Sequence, residues 1–158
     1  MNKLQLWYRE FIKRQYEKLF NENYLIDTGK SITLNEIAKL LEPLEAQVYF
    51  SDEGYMLTTK KSIKDFIWRT GIPREKYVKQ RHDCENFAFE LMGKFAKFSI
   101  PFGFVRSKTH AFNITIDDKK KVWLVEPQTN GFISLETFLK SKNNDRYKLY
   151  KNIQVILI

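Results

Sequence analysis

Apolar and polar positions alternate along this chain with two periods, one helical and one strand-like. Leu4, Trp7, Tyr8, Phe11, Ile12, Leu19 and Phe20 recur at helical spacing and predict an amphipathic helix over residues 3–20. A polar loop follows to Lys30. Thr33-Leu34-Asn35-Glu36 has the form of a capping box, with Ile32 and Ile37 at the staple positions, and predicts a short helix stopped by Pro43. Gln47–Phe50 and Tyr55–Thr58 read as extended, joined by a turn at Asp52-Glu53-Gly54. Ile63, Phe66 and Ile67 predict a helix over 62–69, ended by Gly71 and Pro73. Phe87, Leu91, Phe95 and Phe98 predict a buried central helix over 84–97. Strands are expected at 102–105, 111–116 and 122–125, with a tight turn over 117–121. Ser134 caps a short helix to Lys140, and 153–158 is a final strand. The fold class that follows is α+β.

The length of 158 residues suits a single domain with a proper core. The expected organisation is one domain, 1–158, with a helical part over 1–72 and a core part over 73–158. One cysteine excludes an internal disulfide, so the fold needs no oxidising compartment. The chain shows no apolar run of signal or membrane-spanning length, so the expectation is a cytoplasmic protein with no membrane partner. The net charge is +8, with 20 lysines to 7 arginines. The lysines are scattered, which reads as a solvated surface rather than a nucleic-acid face.

Candidate chemistry sits in the second half. Cys84 opens the central helix, where unpaired N–H groups and the helix dipole favour a thiolate. Asp83 and Glu85 flank it and oppose that charge. His110 ends a stripe shared with Phe112, Ile114 and Ile116. Glu126 falls on the otherwise apolar face of Val122 and Leu124, where a carboxylate needs a partner. An adjacent strand would bring it beside His110. A thiol, an imidazole and an orienting carboxylate are the three parts of a thiol nucleophile. Gln80 is a nearby side-chain amide for an oxyanion hole. His82 reads as structural or surface.

The stretch Asp83-Cys84-Glu85-Asn86-Phe87-Ala88, then His110-Ala111-Phe112, then Val125-Glu126-Pro127-Gln128, resembles the papain/transglutaminase-like cysteine peptidases. The strongest likeness is to the C-terminal protease domain of the mushroom agglutinin family and its stand-alone relatives, over roughly residues 73–133. A looser likeness is to bacterial transglutaminase-like peptidases. The resemblance implies Cys84 as nucleophile, His110 as general base and acid, and Glu126 as orienting residue. It implies a peptidase or amidohydrolase working through an acyl-enzyme on a protein or peptide substrate. It also implies calcium, with Asp83, Glu85 and Gln128 as ligands; Asn86 departs from the family's acid. The same triad could transfer its acyl group to an amine, as a transglutaminase does. Alternatively, the fold could serve as a catalytically silent binding or structural module, for example in a phage or other large assembly.

Overall fold

The computed structural model describes residues 5, 7, 8, 25–141 and 144–158; the predicted first helix falls almost wholly outside them. Its framework is a six-stranded sheet in the order β2-β8-β4-β5-β6-β7. The strands are β2 (Gln47–Tyr49), β4 (Phe102–Ser107), β5 (Ala111–Ile116), β6 (Val122–Glu126), β7 (Gly131–Ser134) and β8 (Ile153–Leu157). Only the β2–β8 pair is parallel. A separate antiparallel pair joins β1 (Lys30–Thr33) to β3 (Gly54–Leu57). The helices are α1 (Leu34–Leu41), α2 (Lys60–Thr70), α3 (Cys84–Ala96) and α4 (Leu135–Lys140). The molecule is thus a mixed α/β fold with a mainly sheet core.

β5 lies centrally and is buried along its whole length, because both faces are covered. On one face Phe112, Ile114, Val122 and Leu124 pack against Ile37 and Leu41 of α1, Phe138 of α4, and Ile32 and Leu57 of the small pair. On the other, Phe102 and Val125 pack against Ile63 and Ile67 of α2 and Phe87, Leu91 and Phe95 of α3. At about 25 cal/mol per Å² of apolar area, these two layers supply most of the folding drive.

Local rules hold where the sequence signalled them. Thr33 accepts from the Glu36 N–H while Glu36 accepts from the Thr33 N–H, closing the capping box. Thr59 caps α2, which ends at Gly71 with φ 84°, a conformation glycine adopts at little cost. Ser134 caps α4.

The expected pairing of residues 47–50 with 55–58 is not formed. Tyr55 and Leu57 bury instead against Ile32, so β3 pairs with β1 and β2 turns away to the edge beside β8. The stretch before Thr33 reads as loop because β1 holds a single apolar residue, Ile32. β7 and a 3-10 turn over Asp145–Tyr150 also lie where no element was expected. Among the described residues no helix is long and apolar enough to cross a membrane.

Gly103 marks the tightest approach in the sheet. A Cβ there would stand 2.3 Å from the Leu157 carbonyl oxygen of β8. Neither backbone can yield without breaking the β4–β8 ladder. Gly103→Ala should therefore destabilise the fold by about 1–3 kcal/mol, read as a lower urea midpoint at unchanged slope. An unchanged midpoint would show that β8 sits further from β4 than described.

Candidate ligand cleft at the start of the cysteine helix

The chain enters α3 through a tight turn. The Val78 N–H donates to the His82 carbonyl, and Gln80 stands at the tip with φ 63°. Asp83 closes a capping box with Asn86, and its Oδ2 also accepts from the Gln80 N–H at 3.1 Å. Cys84 therefore becomes the first helical residue. Gln80 contributes a backbone donor to this turn, and its side chain is exposed. Gln128 is half-buried in the turn between β6 and β7.

His110 and Glu126 meet as strand alternation predicts. β5 and β6 pair antiparallel, and His110 Nε2 lies 2.7 Å from Glu126 Oε2. Both side chains are largely buried, with 11% and 17% exposed. Tyr150 joins them. Its hydroxyl donates to Glu126 Oε2 at 3.1 Å, and its ring meets His110 edge-on. Burial, then the Glu126 charge, pushes the Tyr150 pKa strongly upward, so the phenol remains a donor. Glu126 Oε1 is buried and lacks a hydrogen-bond partner among the described residues.

Tyr150 is the member that sequence reasoning missed. It lies in a polar stretch with no strand or helix period. Its only sequence signal was an aromatic ring among polar neighbours.

The sulfur reaches this region from the other side. α3 packs on Phe104 and Ala111, which brings the Cys84 sulfur near the Ala111 N–H. The thiol donates its proton to Glu85 Oε2 at 3.3 Å. Its pKa is raised, first by burial and then by the carboxylates of Glu85 and Asp83. The Ala111 N–H opposes this only in part. The helix start alone would favour a thiolate, but the flanking acids win.

The His82 ring packs on Phe87 at 4.4 Å and its Nε2 lies 2.8 Å from Glu75 Oε2. Two clusters bring metal-capable atoms within 4.8 Å of one another: Asp83 with Cys84 and Glu85, and Glu75 with His82 and Glu90.

The chain matches no protein-family profile and no curated protein sequence. It is similar in fold to solved structures. One is titled a PSL1a–E64 complex, with TM-score 0.65 and 21% identity over 81% of this chain and 51% of that one. Another is Polyporus squamosus lectin bound to the human-type influenza-binding epitope Neu5Aca2-6Galb1-4GlcNAc, with TM-score 0.62 and 19% identity over 81% of this chain and 49% of that one. At this identity the likeness is one of fold, and the chain spans about half the length of each.

These findings correct the expected identification. One neighbour is named as a lectin, and neither is named as a peptidase. The assignment to papain/transglutaminase-like cysteine peptidases, and to the protease domain of the mushroom agglutinin family, is withdrawn. With it go the acyl-enzyme peptidase or amidohydrolase, the acyl transferase, the hydrolase and thiol-protease designations, and the protein or peptide substrate. The physical counterpart is the sulfur. Burial first, and then the carboxylates of Glu85 and Asp83, raise the Cys84 pKa and so disfavour the thiolate that acyl transfer uses.

The state of this thiol is measurable. The rate of Cys84 alkylation by iodoacetamide should still be climbing at pH values where a free cysteine, with pKa about 8.5, has levelled off. Glu85→Gln removes the acceptor of the thiol proton and one repelling charge, and should move that profile to lower pH. A wild-type profile that levels off below the free-cysteine pKa would overturn this account.

Proposed function

We propose that the chain is a catalytically silent binding module, and that it takes hydroxyl-rich ligands of the glycan class beside His110, Glu126 and Tyr150. The observation that carries this reading is the unpaired acceptor on Glu126. Oε2 is shared by His110 and Tyr150, while Oε1, buried, has no partner among the described residues. A buried carboxylate oxygen in that state favours a donor, and a sugar hydroxyl is one. A groove of about 330 Å³ borders the cluster at Tyr150 and is lined partly by Glu45, Asn152 and Gln154, side chains that pair readily with hydroxyls. The lectin bound to a sialylated epitope supports the ligand class. The finer architecture belongs to the same proposal: a papain/transglutaminase-like layout of a cysteine-bearing helix on an antiparallel sheet, used here for binding.

Calcium is an accessory part of the proposal. Asp83 and Glu85 would supply two carboxylates, with Gln128 and backbone carbonyls completing the six to eight oxygens that calcium takes. The ion would offset the acids beside the sulfur. Calcium added to chelator-treated protein should raise the melting temperature and shift the alkylation profile of Cys84 to lower pH. If both stay fixed up to millimolar calcium, Asp83 and Glu85 act only as cap and thiol acceptor.

Binding is tested by calorimetric titration of the trisaccharide Neu5Aca2-6Galb1-4GlcNAc and of its asialo disaccharide. Glu126→Gln should weaken the association about tenfold, and Tyr150→Phe less, while Cys84→Ser leaves it intact. Incubation with E64, an epoxide that alkylates thiolates, provides the opposing arm. Absence of saccharide binding by the wild type overturns the reading, and so does rapid E64 labelling of Cys84 at neutral pH with cleavage of an unfolded protein.

A further inference from the structure

The opposite end of β6 carries a different collection of groups. Lys60 stands with its ammonium 3.5 Å from the centroid of the Trp123 ring, and Lys64 lies 5.3 Å from that of Phe132. Lys121 approaches Trp123 at 4.9 Å. A cleft of about 330 Å³ opens beside these rings, lined by Lys121, Trp123, Phe132, Thr137, Arg146 and Tyr147 among others.

Lys121 and Arg146 thus line the recess, and Lys60 and Lys64 stand over two of its rings, Trp123 and Phe132. Among the described residues none of Lys60, Lys64, Lys121 and Arg146 has a carboxylate within ion-pair distance. The nearby acids are engaged elsewhere. Asp117 accepts from Trp123 Nε1 at 2.8 Å and from the N–H groups of Lys119 and Lys121. Glu136 pairs with Lys140 at 2.6 Å. The cations also strain one another: burial first, then the charges of Lys64 and Lys121, lower the Lys60 pKa, and Asp117 offsets this only partly.

We infer that this cleft is a binding site for a small acidic sugar, one that bears a carboxylate, sulfate or phosphate. The cations would take the acidic group. The ring edges of Trp123, Phe132 and Tyr147 would meet the apolar face of the sugar, and the Thr137 hydroxyl would pair with its oxygens. A compact ligand suits the volume. The geometry is one of convergence, with four positive side chains on α2, the β5–β6 turn and the 3-10 turn around three aromatic rings. This inference does not rest on the Glu126 cleft and survives if that reading falls.

Trp123 provides the readout. In a Trp7→Phe, Trp68→Phe background it is the only tryptophan of the chain. N-acetylneuraminate, glucose 6-sulfate and glucose 6-phosphate are titrated separately, with glucose as the neutral control. At least one acidic sugar should change the emission saturably, and the three arms identify which anion is preferred. Lys60→Gln with Lys64→Gln should weaken that binding about tenfold, whereas Lys60→Arg with Lys64→Arg should largely retain it. High salt should weaken it as well. Cys84→Ala should leave it unchanged. Circular dichroism checks that each variant is folded. The inference is overturned if no acidic sugar gives a saturable change up to millimolar concentration. It is equally overturned if glucose binds as well as the acids, or if the folded lysine-to-glutamine variant binds like its parent.

Discussion

The arrangement hangs on one buried amide. Asn113 lies in the middle of β5 and is wholly excluded from solvent. Its side-chain nitrogen donates to the Ala88 carbonyl of α3 at 2.8 Å and to the Gly103 carbonyl of β4 at 3.0 Å. A single residue thereby joins the cysteine helix to two strands. Apolar packing by Phe87, Leu91 and Phe95 tells α3 which face of the sheet to cover, but is non-directional. The two hydrogen bonds have direction, and they select the register in which Ala88 stands over β5. One turn earlier, Cys84 then arrives beside Ala111. Leaving such groups unpaired costs about 1–3 kcal/mol, so sliding the helix is expensive.

That placement explains why the helix start does not activate the thiol. A thiol at a first turn gains from the dipole by about 0.3–1 kcal/mol when exposed. Burial and two neighbouring carboxylates act in the opposite sense, and the protonated sulfur donates a hydrogen bond to Glu85. His110 is engaged with Glu126, which also serves Tyr150. The polar cluster is organised around a carboxylate, with the sulfur attached to a different one. Such an organisation favours accepting hydrogen bonds from a ligand over attacking it.

Much of this was legible in the chain, and the exceptions have physical causes. Period-two patterning located β5 and β6 nearly residue for residue, and it put His110 and Glu126 on a common face. The capping box located α1 because it is local chemistry, and the apolar spacing of Phe87, Leu91 and Phe95 located α3. What escaped depends on partners distant in sequence. β1 is defined by its ladder to β3 and β2 by its ladder to β8; each is too short to carry a period. Asn113 looked like one polar residue in an apolar strand, with nothing to show that it reaches both Ala88 and Gly103. The motif around Cys84 pointed toward turnover because it specifies residue types and order. It does not specify whether burial and acids leave the sulfur protonated. Tyr150, contributed by a 3-10 turn, had no pattern at all.

β6 also connects two sites of opposite character. Glu126 ends the strand beside His110 and Tyr150, while Trp123 sits near its start among lysines. Strand geometry puts these two positions about 10 Å apart, and the Debye length at physiological salt is about 8 Å. An anion held by Lys60 and Lys64 would therefore be partly screened from the Glu126 carboxylate. Between them the strand is paired to β5 on one side and β7 on the other. The two ends of β6 should thus act as independent sites on a common support. A basic surface overall can accommodate an acidic pocket because the charges that matter to each are local.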